Sequence, residues 1–118
     1  MASHCVIKAL NYMQQIKQEY WIGIRREDKS VWERRAPLTP AHLQDILQTH
    51  KDIYFVVQPS QKRVFSDYEY EKAGAILSED LSQCSLILGI KEVPLEKLMP
   101  GKTMMYFSHT IKVKIWLA

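Results

Sequence analysis

Short apolar runs, separated by longer segments that mix polar and apolar residues, predict strands separated by helices along this chain. Residues 53–57, Ile-Tyr-Phe-Val-Val, are β-branched or aromatic and precede Pro59, a pattern typical of a strand. Residues 21–24, 86–90 and 103–107 form three further strand-like runs. These runs are largely apolar throughout instead of strictly alternating, which favours parallel strands covered on both faces.

Two helices are predicted between these strands. Thr39 before Pro40 is a favourable N-cap followed by a proline at the first helical position. Ser66 and Glu69 have the spacing of a capping box, and Gly74 fits a helix C-terminus. Helices between strand-like runs predict an α/β fold, with a mostly parallel sheet, flanking helices and right-handed crossovers. The apolar stripe of the first helix consists of Leu43, Ile46 and Leu47.

The first twenty residues predict a separate, weakly amphipathic helical extension. Apolar residues recur there at helical spacing, but no continuous apolar stretch or cleavage site indicates a secretory signal. The segment also contains no arginine, which makes a mitochondrial transit peptide less favoured than a plain helix.

Composition and charge narrow the class of partner. A chain of 118 residues accommodates one small domain, and its net charge of +3 is scattered along the sequence. We therefore expect neither a nucleic-acid partner nor a membrane partner, and we expect Trp32 to pack and not to bind bases. Cys5 and Cys84 lie far apart and form no C-x-x-C pair, so no metal site is predicted. Cys84 adjoins an apolar run and is expected to be a buried free thiol.

Candidate chemistry appears where the predicted strands end. Glu33 and Arg35 follow the first strand, Lys91 follows residues 86–90, and His109 and Lys112 follow residues 103–107. Ligands of open α/β sheets bind beyond the carboxyl ends of the strands, so these side chains are candidates for one site. Arginine can clamp a carboxylate with two hydrogen bonds, and lysine and histidine can transfer protons.

Each of these residues also has a purely structural interpretation. Arg35 could be a paired surface arginine, Lys91 could protect a strand edge from pairing, and His109 could be a hydrogen-bonded structural histidine. The four glycines, at positions 23, 74, 89 and 101, form neither a dinucleotide-binding motif nor a phosphate-binding loop. No bound cofactor is therefore expected for this chain alone.

Three segments resemble one enzyme superfamily. Residues 32–40, W-E-R-R-A-P-L-T-P, resemble the signature that opens the substrate domain of alanine dehydrogenases and nicotinamide nucleotide transhydrogenases. Residues 88–94, L-G-I-K-E-V-P, are similar to the element that follows in that superfamily. The form F-S-H-T-I-K at residues 107–112 is most similar to the lysine-ketoglutarate reductase part of α-aminoadipic semialdehyde synthases.

The resemblance implies an NADPH-dependent reductive condensation of lysine with 2-oxoglutarate to give saccharopine, in mitochondrial lysine degradation. It implies that Arg35 holds a substrate carboxylate and that Lys91 and His109 are the acid/base pair at the imine carbon. Glu33 would orient this cluster, and Lys112 would tune it electrostatically.

The resemblance also sets the expected domain limits. Residues 1–20 are an extension, residues 21–112 a partial substrate domain, and residues 113–118 a divergent tail. We expect a truncated chain that lacks the cofactor domain and is inactive alone. Two alternatives remain open: the substrate domain of an alanine dehydrogenase-like enzyme, and a non-catalytic chain that docks on full-length subunits. The expected location is mitochondrial, or cytoplasmic if the N-terminus is not a working transit peptide.

Overall fold

A five-stranded parallel sheet forms the centre of the molecule. The computed structural model describes residues 4–15 and 18–107. Every neighbouring pair of strands is parallel, and the order across the sheet is β3-β2-β1-β4-β5, which confirms the predicted α/β class. The strands are β1 (Tyr20–Ile24), β2 (Ile53–Val57), β3 (Ile76–Leu77), β4 (Leu86–Lys91) and β5 (Thr103–Phe107).

The helices begin where the sequence predicts. In α2 (Pro40–Thr49), the Thr39 side chain accepts a hydrogen bond from the His42 backbone N–H. In α3 (Asp67–Lys72), Ser66 and Glu69 form both hydrogen bonds of a capping box. Gly74 follows α3 with a positive φ of 114°, which explains the glycine at that position.

Three further elements complete the described chain. A helix, α1 (His4–Gln15), lies within the predicted N-terminal extension. A single turn of 3-10 helix (Leu95–Lys97) connects β4 to β5. The two-residue strand β3 was not predicted, because a pair of residues is too short to show a period. No helix among the described residues is long and apolar enough to cross a membrane.

Different elements cover the two faces of the sheet. Ile24, Phe55 and Val57 point towards α2 and α3, where Leu43 and Tyr70 are fully buried. On the opposite face, Val56 and Ile87 pack against Leu81 and Cys84, which belong to the irregular segment before β4. Cys84 is a buried free thiol, as predicted, and burial raises its pKa. In the described part of the chain, an irregular segment and not a helix therefore covers the second face.

The strand order places a topological switch point between β1 and β4. The chain builds β1, β2 and β3 outward in one direction, then returns to place β4 on the other side of β1. Connections leave the two central strands in opposite directions, which opens a crevice at their carboxyl ends. Any ligand site of this sheet is expected in that crevice.

Candidate functional site

A buried carboxylate and an exposed guanidinium form an ion pair near the carboxyl end of β4. Glu33, on the loop after β1, has a side chain only 7% exposed, whereas that of Arg35 is 65% exposed. Arg35 Nε donates to Glu33 Oε1 at 2.7 Å and Arg35 Nη2 donates to Glu33 Oε2 at 2.9 Å. The Arg35 backbone N–H also donates to Glu33 Oε1, at 3.2 Å. The carboxylate therefore holds both the backbone and the side chain of Arg35 in one orientation.

The charges of this pair stabilise one another. Hydrogen bonding from the Arg35 side chain lowers the pKa of Glu33 from 4.5 to about 2, against the opposing effect of burial. The same hydrogen bond raises the pKa of Arg35. Glu33 is consequently ionised at every physiological pH.

The bidentate contact uses only one edge of the guanidinium. Nε and Nη2 of Arg35 face Glu33, and Nη1 has no hydrogen-bond partner among the described residues. A guanidinium carries five N–H donors, so Nη1 and the second hydrogen of Nη2 present a second fork that no described residue occupies. That fork has the spacing that a carboxylate accepts.

Lys91 joins this pair from the neighbouring strand. It is the last residue of β4, and its Nζ lies 4.0 Å from Glu33 Oε2. A cavity of about 300 Å³ lies at this edge of the sheet, and it is lined by Arg35, Ile90, Lys91 and Phe107. The structure thus brings together three predicted site residues, Glu33, Arg35 and Lys91, beside a cavity large enough for a small organic acid.

A second buried carboxylate, which sequence reasoning missed, supports the end of β4. Glu27 is 7% exposed and accepts the backbone N–H of Ile90 at 3.1 Å and that of Lys91 at 2.8 Å. Residues 25–36 are strongly charged and therefore resemble a solvated loop in the sequence. No local pattern distinguishes Glu27 from the exposed charges around it.

Ion pairs attach the loop after β1 to its neighbours. Lys29 pairs with Glu92, and Lys97 pairs with Asp28, which joins this loop to the segment after β4. On the other side, Arg26 Nε donates to the Pro59 carbonyl at 3.0 Å. The loop that carries Glu33 and Arg35 is therefore held from both sides of the crevice.

Arg63 also packs close to this loop. Its side chain is 4% exposed, lies 5.2 Å from the centre of the Tyr70 ring and donates to the Gln58 carbonyl at 3.1 Å. Its Nη2 has no hydrogen-bond partner in the described part of the chain. The next residue, Val64, donates its backbone N–H to the Arg34 carbonyl at 2.9 Å, which ties this segment to the site.

Two predicted site residues fall outside the described part of the chain, and one residue predicted to pack is exposed. His109 and Lys112 lie outside the described residues, so their roles remain predictions. Trp32 is 87% exposed, so the expectation that it packs is wrong. It belongs to the charged loop after β1, which leaves its ring in solvent.

Within residues 4–15 and 18–107, no cluster of three or more potential metal ligands occurs.

Comparison with known proteins agrees with this architecture. The family described as "Alanine dehydrogenase/PNT, N-terminal domain" matches residues 23–117. The mitochondrial alpha-aminoadipic semialdehyde synthase of Bos taurus is 53% identical over 93 residues, covering 79% of this chain and 10% of the synthase. The saccharopine dehydrogenase [NAD(+), L-lysine-forming] of Yarrowia lipolytica is 32% identical over 96 residues, covering 77% of this chain and 25% of that enzyme.

Solved structures show the same fold at low identity. An L-alanine dehydrogenase superposes with a TM-score of 0.66 at 17% identity, covering 82% of this chain and 28% of that chain. The chain thus spans about a tenth to a quarter of the length of the two relatives described above.

Proposed function

Because the chain belongs to the alanine dehydrogenase/PNT N-terminal domain family, we propose that it forms the substrate-binding part of a lysine-ketoglutarate reductase. The substrates would be lysine and 2-oxoglutarate, and the product saccharopine. The second fork of Arg35 carries this proposal: Glu33 orients it beside the 300 Å³ cavity, and no described residue occupies it. Both 2-oxoglutarate and saccharopine carry carboxylates that this fork can bind.

Lys91 and His109 are proposed as the acid/base pair. Condensation of the lysine amine with the keto group releases water, so a proton must reach the departing oxygen and another must leave the nitrogen. Lys91 Nζ lies beside Glu33 and lines the cavity, which supports a proton-transfer role next to a carboxylate bound by Arg35. His109 would supply the second group, and Lys112 would adjust the local potential.

The nicotinamide nucleotide is proposed to bind outside this chain. The four glycines of this chain stand singly, so its sequence contains no glycine-rich phosphate-binding motif. The cofactor, which we propose to be NADPH, would supply the hydride that reduces the substrate imine. The residues of this chain would bind and orient the substrates and move protons. We therefore propose that the chain alone has no reductase activity, and we propose a mitochondrial location from the name of the bovine relative.

A chimera tests this function directly. Residues 23–117 would replace the matching segment of the bovine synthase, and saccharopine formation would be followed by NADPH oxidation. The proposal expects activity in the chimera and none in the chimera with Lys91→Met. A folded chimera that oxidises NADPH with ammonia and a small oxo acid, but not with lysine and 2-oxoglutarate, would support the alanine dehydrogenase-like alternative.

A non-catalytic role is the second candidate. Met105 and Phe107, on the edge strand β5, are 60% and 67% exposed, so an apolar strip borders the sheet. Such a strip would suit docking on full-length synthase subunits. Co-purification of tagged chain with the bovine synthase would support this role, and loss of capture on Phe107→Glu would localise it.

A further inference from the structure

Glu27 holds the end of the strand that carries Lys91. β1 pairs with β4 only as far as Leu88, and the register between β4 and β5 shifts between Leu88 and Lys91. Beyond Leu88, both oxygens of one carboxylate accept backbone hydrogen bonds: Glu27 Oε2 accepts from the Ile90 N–H, and Glu27 Oε1 accepts from the Lys91 N–H. The last two backbone N–H groups of β4 thus donate to a side chain of the loop after β1.

A buried carboxylate is well suited to this position. Each oxygen accepts one N–H group, and such charge-assisted hydrogen bonds are roughly twice as strong as those between neutral groups. The regular ladder with β1 ends at Leu88, and Lys91 pairs with Phe107 of β5 after the register shift, so Glu27 holds this irregular strand end from the side of the loop after β1. The direction of the backbone at residue 91 determines where the Lys91 side chain projects.

We propose that Glu27 is a positioning residue, which fixes the end of β4 so that the Lys91 amine faces Glu33 and the cavity lined by Arg35. The significance of that position for a reaction rests on the proposed function, but the coupling between Glu27 and Lys91 does not. Glu27 acts on the site by hydrogen bonding to the backbone of residues 90 and 91, and we assign it no contact with a substrate. The loop after β1 therefore contributes to the site twice, through Glu33 and Arg35 and through the placement of Lys91.

The hydrogen bonds from Ile90 and Lys91 to Glu27 can first be tested by amide hydrogen exchange in the wild-type chain and in Glu27→Gln. In Glu27→Gln, the amide group can replace only one acceptor, so one of the two N–H groups should exchange about tenfold faster or more. Exchange rates of both N–H groups that stay unchanged in Glu27→Gln would overturn the proposal.

A double-mutant cycle then separates positioning from simple stabilisation. Glu27→Gln should weaken binding of 2-oxoglutarate about three- to tenfold in the wild-type background and have no further effect beside Lys91→Ala. Glu96→Gln, which removes an exposed charge from the segment after β4, is the matched control and should leave binding unchanged. An equal loss in both backgrounds would show that Glu27 does not act through Lys91, and would contradict the proposal.

Failure of the proposed function would be recognised separately. If the wild-type chain binds no 2-oxoglutarate, that function is contradicted, and acylation of the Lys91 amine becomes the readout. Glu27→Gln should then raise the acylation rate of Lys91 at least twofold relative to exposed Lys51, because the strand end is released. An unchanged ratio would overturn the positioning role.

Discussion

Arg35 and Glu33 form a side-on ion pair in which the carboxylate is buried and the guanidinium reaches solvent. This arrangement leaves the outer edge of the same guanidinium directed away from Glu33. A buried carboxylate needs hydrogen-bond donors from a neighbouring side chain. A side chain with only one pair of donors would use both of them on the carboxylate and have none left for a ligand. Arginine can satisfy Glu33 and still offer a second fork, which lysine cannot do.

Replacement of Glu33 by glutamine should destabilise the fold at neutral pH. The pKa of Glu33 lies near 2 in the folded chain and at 4.5 as its ordinary value, so ionised Glu33 stabilises the folded state. The expected loss in the free energy of unfolding is about 2–3 kcal/mol above pH 5. Urea unfolding at a series of pH values measures it.

The pH dependence of that difference has a defined sign. Because the folded pKa is depressed, the contribution is complete above about pH 4.5 and disappears as the pH falls towards 2. The wild-type and Glu33→Gln stabilities should therefore converge on acidification. Glu71→Gln, at an exposed position of α3, is the control and should change the free energy of unfolding by less than about 0.5 kcal/mol at neutral pH. A Glu33→Gln difference that stays constant from pH 7 to pH 3 would contradict the ion-pair account.

Replacement of Arg35 should weaken carboxylate binding in the active chimera. Arg35→Ala removes the second fork of the guanidinium, and we expect KM for 2-oxoglutarate to rise at least about tenfold, the usual effect of losing a charge-assisted hydrogen bond. Arg34→Ala is the control, because Arg34 is an adjacent exposed arginine whose backbone carbonyl, not its side chain, bonds Val64. Equal KM changes in the two variants would argue against a specific role for Arg35.

His109→Ala should mainly lower turnover. If His109 transfers a proton in the reaction, its loss should reduce kcat by about 10²–10⁴-fold, with little change in KM. Steady-state kinetics of the chimera separate the two constants. An unchanged kcat would remove His109 from the acid/base pair and leave Lys91 without its proposed partner.

Replacement of Tyr70 by phenylalanine should lower the free energy of unfolding and leave the proposed reaction unaffected. The Tyr70 hydroxyl is buried and donates to the Leu38 carbonyl at 2.7 Å, which anchors α3 to the segment between Arg35 and α2. Loss of that hydrogen bond should lower the free energy of unfolding by about 1 kcal/mol. Tyr68→Phe, with a side chain exposed on the same helix, should lie within about 0.5 kcal/mol of wild type. Equal effects at both positions would contradict the anchoring role.

The regular elements of this fold were predictable because their signals are local. The capping residues at Thr39 and Ser66 and the apolar run at residues 53–57 act within one element, so the sequence contains the whole cause. β3 escaped prediction because its two residues are strand only through pairing with β2. Its position depends on tertiary contact and not on any pattern of its own.

The candidate site was predictable only in part. Glu33, Arg35 and Lys91 follow from a general rule, since parallel strands end at one edge and charged residues stand there. Glu27 and Trp32 did not follow, because the burial of a loop carboxylate and the exposure of a loop tryptophan are decided by the tertiary structure, as the hydrogen bonds from β4 to Glu27 illustrate. The sequence alone provides no measure of those contacts.

Calorimetric titration of the purified chain tests the central claim most directly. After a cooperative thermal transition has been verified, the chain would be titrated with saccharopine, 2-oxoglutarate and NADPH, beside Arg35→Ala and Arg34→Ala. We expect saccharopine or 2-oxoglutarate to bind to the wild type and to Arg34→Ala, with clear loss in Arg35→Ala and no binding of NADPH. A folded chain that binds neither acid, or that binds them equally well without Arg35, would contradict the assignment of this crevice as the substrate site.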